Sequence, residues 1–74
     1  MAYRVGRCLL RERLDDAGID QVMLAKRLNV TKQQVNKYVT NRQRMSIETA
    51  KNVSSIIHCD IEELYEWIEV GNDE

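Results

Sequence analysis

Residues 20–41, DQVMLAKRLNVTKQQVNKYVTN, restrict the possible folds more than any other part of this chain. Asp20 has the chemistry of a helix N-cap, and Ile19 with Leu24 forms a hydrophobic staple across the first turn. Leu24, Ala25 and Leu28 then give that helix one apolar side. Asn29 ends it, because asparagine tolerates positive φ better than most residues. Thr31 caps a second helix at once, with Gln34 as capping-box partner and Val30 and Val35 as staple. The pattern is two short amphipathic helices joined by a tight turn, and the rest of the chain reads as support for them.

Helical spacing recurs on both sides of this unit, while strand-like alternation is weak. A first helix is expected over about residues 5–17, with Leu10, Leu14 and Ala17 in one stripe and Gly18 as its left-handed terminator. A fourth begins after Ser46 and buries Ala50, Val53, Ile56 and Ile57. A fifth begins after Asp60, with Glu63 as box partner and Cys59–Leu64 as staple, and runs acidic to about residue 70. The expected fold class is therefore all-α: five helices in a single domain spanning residues 1–74, with the helix-turn-helix unit at about 20–41.

Seventy-four residues are near the lower limit for a self-sufficient core. No run of 18 apolar residues is present, and no charged-then-apolar leader, so neither a membrane span nor a secretory signal is expected. Cys8 and Cys59 lack a CxxC spacing, and His58 is the single histidine, too few ligands for zinc. Two reduced, partly buried thiols fit a cytoplasmic protein. No cofactor, metal or small-molecule ligand is expected.

A net charge of −1 argues against a polyanion partner, but its distribution argues the other way. Residues 1–58 carry all 11 Lys and Arg against five acids, a balance of +6. Residues 59–74 carry seven acids and no base, a balance of −7. A polyanion is attracted to the first part and repelled by the second.

On a helical wheel starting from Thr31, Val35, Tyr38 and Val39 turn inward. Lys32, Gln33, Asn36, Lys37 and Thr40 fall on the opposite side. No acid stands anywhere on this helix. Lysine donates to guanine N7 and O6, and glutamine or asparagine pairs with adenine N7 and N6. An α-helix fits the DNA major groove, so these side chains suit base reading. The bland reading of the same face is an ordinary solvated surface.

Residues 21–64 resemble the Cro/repressor-type helix-turn-helix family, also called the Xre family. The matching marks are Gln21, Leu24-Ala25, Leu28, Val30-Thr31, Val35, Ser46-Ile47-Glu48-Thr49 and the closing Ile56-Ile57-His58-Cys59-Asp60-Ile61-Glu62-Glu63-Leu64-Tyr65. The resemblance implies a lambda-repressor-like domain in a sequence-specific, double-stranded DNA-binding transcriptional regulator. It also implies that Lys32, Gln33, Asn36 and Lys37 contact bases, and that Gln21, Thr31, Thr40, Arg42 and Arg44 contact phosphates or lie beside them. Phosphate contacts would fix register and groove contacts choose sequence. The chain departs from the family at Asn29, Asn41 and His58, where glycine (or, at His58, asparagine) is frequent, and at the apolar Val39.

Arg4, Arg7 and Arg11 either reach flanking phosphates or pair with Glu12 and Asp15, and Lys26 and Arg27 are further backbone candidates. Tyr65, Trp67 and Ile68 make the acidic last helix apolar enough to be a dimer or partner interface. The sequence reading is thus a homodimeric repressor on a near-palindromic operator. Its rival is a protein-interaction module of antitoxin or anti-repressor type, docking through that Trp-bearing end. An enzyme is not expected, since no phosphate-cradling glycine loop, metal cluster or nucleophile beside a base occurs.

Overall fold

The computed structural model describes residues 2–71; Asp73 and Glu74, counted above with the acidic segment, lie outside the described residues. The element order is β1 (Ala2–Cys8), α1 (Leu10–Ala17), α2 (Gln21–Leu28), α3 (Lys32–Val39), α4 (Ile47–Ile57), a 3₁₀ turn (Ile61–Leu64) and β2 (Tyr65–Val70). Four helices enclose the core, and β1 pairs with β2 as a two-stranded antiparallel ribbon.

The helix ends follow from local chemistry. The Asp20 carboxylate accepts from Met23 N at 2.8 Å, the Thr31 hydroxyl from Gln34 N at 3.0 Å, and Ser46 Oγ from Thr49 N at 3.1 Å. Gly18, Asn29 and His58 terminate α1, α2 and α4 in the left-handed region, at φ 70°, 61° and 58°. The Thr31–Gln34 box is only half made: Thr31 accepts from Gln34 N, while the Gln34 side-chain nitrogen donates to Gln43 Oε1 at 3.1 Å.

Leu10, Leu14, Leu24, Ala25, Val35, Tyr38, Val39, Ala50, Val53 and Ile57 are buried together, so Val39 is a core residue. Ala17, expected in the stripe of the first helix, is exposed. Cys8 is buried, Cys59 half-buried, and both are free thiols. Burial pushes the Cys8 thiol above its ordinary range.

The ribbon corrects the all-α, five-helix expectation at both ends of the chain. Residues 5–8 belong to β1, so the first helix starts at Leu10. The start signal after Asp60 is real, since the Glu63 carboxylate accepts from Asp60 N at 2.9 Å, but it yields only one 3₁₀ turn. A helix through residues 60–70 would stack Glu62, Glu63, Glu66 and Glu69 at repelling three- and four-residue spacings. As a strand, YEWIEV alternates its faces and suits β geometry with aromatic and β-branched residues. It also brings Glu66 to Arg7, whose guanidinium lies 3.6 Å from Glu66 and 3.3 Å from Glu12.

The pairing register shifts by one between Val5 and Cys8, setting Gly6 and Arg7 against Glu66 in a bulge. Glycine fits closely there, as a Cβ on residue 6 would sit 3.1 Å from both Glu66 Cβ and Ile68 Cδ1, so those side chains would have to shift by a few tenths of an ångström to admit one.

Two further hydrogen bonds tie the ribbon to the loop between α3 and α4. Tyr65, expected at an exposed interface, is buried at 9 % exposure, and its hydroxyl accepts from Met45 N at 3.0 Å. Asn41, at φ 64°, turns its side-chain oxygen to accept from Cys8 N at 2.7 Å. Asn41→Gly keeps the left-handed backbone accessible but leaves this part-buried N–H without its partner. A loss of about 1–3 kcal/mol is expected from urea unfolding. An unchanged midpoint and slope would show that the bond contributes nothing.

Candidate nucleic-acid interface

The helix-turn-helix unit is built by burial on one side only. Val35, Tyr38 and Val39 are anchored in the core, and α2 and α3 pack on each other. That anchoring fixes the rotation of α3 and leaves Lys32, Gln33, Asn36 and Lys37 exposed on the outer side.

These four side chains and Arg42 line one shallow concavity of about 420 Å³. Three cations and two amides therefore converge on one surface, and α3 itself carries no acid. Amide groups offer paired donors and acceptors, while the cations supply the field that draws in a polyanion. Nothing here resembles a nucleophile–base pair. Among the described residues, no group of three or more His, Cys, Asp or Glu is placed to hold a metal ion. No described helix is long and apolar enough to cross a membrane.

The residues read from the sequence as phosphate contacts divide into three groups. Gln21 is half-buried at the start of α2 and lines a neighbouring depression with Asp20, Val22, Lys32 and Asn36. Its Oε1 is buried without a hydrogen-bond partner. Thr31 and Thr40 are exposed, yet both hydroxyls already serve the helix. Thr31 accepts at the N-cap, and Thr40 Oγ1 donates to Asn36 O at 2.8 Å. Thr31 keeps its proton to donate, and Thr40 keeps lone pairs to accept. Arg42 joins the α3 concavity, whereas Arg44 is exposed but does not line it.

Of the flanking cations, Arg7 is held between Glu12 and Glu66, the pairing alternative of the sequence reading. Lys26 and Arg27 are exposed in the last turn of α2. Trp67 and Ile68 are exposed, on β2 rather than on a helix, and the Trp67 indole donates to Glu62 O at 2.9 Å.

Sequence reasoning missed two positioning links. Gln34 and Gln43 join side chains and tie the loop carrying Arg42 back to α3. Asn41 links the end of α3 to the end of β1. The only signal for Asn41 was its aptness for positive φ. Its acceptor role depends on a strand 33 positions away and has no local signature.

Comparison with known proteins supplies the context for this surface. The profile of the Cro/C1-type HTH DNA-binding domain matches residues 9–69. Among solved structures, the chain is similar to a transcriptional regulator from Listeria innocua, with a TM-score of 0.66 and 25% sequence identity. That match covers 90% of this chain and 67% of the other. No curated protein matches the sequence.

Proposed function

The chain belongs to the Cro/C1-type helix-turn-helix DNA-binding family, and from that premise we propose that it represses transcription as a homodimer on a near-palindromic operator. DNA binding and a regulatory role follow from the family and the structural likeness. The finer reading rests on one observation above all: Lys32, Gln33, Asn36, Lys37 and Arg42 gather around a single exposed concavity.

In this reading α3 lies in the major groove. Lys32, Gln33, Asn36 and Lys37 meet base edges, choosing sequence by bidentate amide pairs and lysine–guanine contacts. Gln21 donates to a phosphate from the start of α2, and Thr31, Arg42 and Arg44 hold the backbone on either side; Thr40 lies beside it without donating, because its hydroxyl proton is taken by Asn36 O. One module reading a few base pairs binds weakly, so two copies about a dyad multiply affinity. Repression then requires nothing beyond occupying the promoter.

Selection of bound sequences from a random duplex library, at a stated salt concentration, tests this. The expected product is an inverted repeat with half-sites about 10 base pairs apart, centre to centre. A single unrepeated half-site would remove the dimer, and no enrichment over the input would remove sequence reading. Placed at a promoter, the selected site is expected to lower reporter output when the protein is expressed. A rise would remove repression.

A further inference from the structure

The two-stranded ribbon is structurally incomplete by itself. β1 and β2 pair only with each other, and most of their residues are exposed on both faces. Among the described residues, no backbone hydrogen bond joins residues 2–6 to anything except β2. The ribbon also carries much of the molecule's exposed apolar surface, with Tyr3 at 65 %, Trp67 at 48 %, Ile68 at 39 % and Val70 at 36 %. The molecule measures 46 × 22 × 20 Å along its principal axes. The radius of gyration is 13.1 Å, against about 11 Å expected for a compact chain of this length. An isolated hairpin is marginal in water, and stable sheets need three strands or more. Free edges are normally blunted by proline, lysine or a covering element. The bulge at Gly6 and Arg7 turns one end of β1, and the edge before it has a single charged side chain, Arg4, with no proline or covering element among the described residues.

We propose that the outer edge of β1 pairs antiparallel with β1 of a second copy, forming a continuous four-stranded sheet in the order β2-β1-β1-β2. This rests on the dimeric reading above and names its surface. Charge selects the edge. β2 carries Glu66 and Glu69, so joining two β2 edges would set four carboxylates on adjacent strands. On β1, Arg7 is already neutralised by Glu12 and Glu66, leaving Arg4 as the one cation of that strand without a salt bridge among the described residues. A two-fold axis at Tyr3 or Val5 sets Arg4 opposite Ala2 or Gly6 of the other copy, not opposite the other Arg4. The acidic β2 strands then lie outermost, three strand spacings or roughly 14 Å apart. That exceeds the Debye length of about 10 Å at 0.1 M salt.

The same pairing would set the separation of the two α3 helices. β1 ends at Cys8, whose N–H is bonded to Asn41 just beyond α3, so the ribbon and the DNA-facing helix are joined through one hydrogen bond.

The test uses the whole chain without DNA. Sedimentation gives the mass, and variants that add one cysteine in a Cys59→Ser background, where the remaining native thiol Cys8 is buried, report the edge under mild oxidation. A dimer is expected, with Tyr3→Cys or Val5→Cys captured as a covalent dimer and Glu69→Cys remaining uncrosslinked. A monomer at every concentration overturns the proposal. So does a dimer that crosslinks through Glu69→Cys, or through none of the three. Duplex selection on the same preparation keeps the two readings separate: a monomer that still enriches specific sites removes the ribbon interface and leaves sequence reading intact.

Discussion

Replacing Lys32, Gln33 and Lys37 together by alanine is expected to abolish specific duplex binding without unfolding the protein. Removing one side chain from a base edge costs about 1–3 kcal/mol, so the triple variant should bind at least a hundredfold more weakly, with each kcal/mol worth roughly fivefold. All three side chains are exposed, so their removal creates no cavity and should change stability little. Salt dependence separates their roles. Each cation removed from the interface lowers the slope of log K against log salt by about 0.9, so the two lysines account for roughly two units. Gln33→Ala alone should relax sequence preference while leaving the slope unchanged. Fluorescence anisotropy titrations across a salt series measure both quantities. A triple variant with wild-type affinity and slope would mean that the outer face of α3 is only a solvated surface. If Trp67→Ala then abolished activity, the protein-interaction reading would replace it.

What was legible in the sequence is what local chemistry determines. Asp20, Thr31 and Ser46 each cap a helix by bonding a backbone N–H three residues on, so the beginnings of α2, α3 and α4 could be read directly. The same holds for the left-handed ends at Gly18, Asn29 and His58. The orientation of α3 followed from its apolar stripe. The ribbon was hidden because its partners lie at opposite ends of the chain. Ala2 pairs with Val70 and Cys8 with Tyr65, and neither half shows enough alternation to declare a strand alone. Asp60 and Glu63 gave a true start signal whose continuation was decided by distant groups. Arg7 meets Glu66, and the Tyr65 hydroxyl meets Met45 N. Those distant partners place Tyr65 in the core instead of at the expected interface.

Leu64→Ala is expected to be the most damaging single substitution at the junction between helices and ribbon. Leu64 ends the 3₁₀ turn with no solvent exposure, and its carbonyl accepts from Leu9 N at 2.8 Å. It is thus the last core residue before the chain enters β2, and the partner of the residue that leads β1 into α1. Truncating a buried leucine removes transfer free energy and leaves a cavity, together about 2–5 kcal/mol. A domain of this length has roughly 4–11 kcal/mol in total. The melting temperature should fall by roughly 10 °C or more, since each kcal/mol shifts a domain of this size by about 4–8 °C. Leu64→Met preserves volume and should cost less than about 1.5 kcal/mol. Ile47→Ser, at a position 75 % exposed, should be nearly neutral. Thermal unfolding followed by circular dichroism ranks the three. The proposed role of Leu64 fails if its alanine variant melts with wild type. If Leu64→Met is as damaging as Leu64→Ala, leucine's shape, rather than the volume it fills, holds the ribbon to the helices.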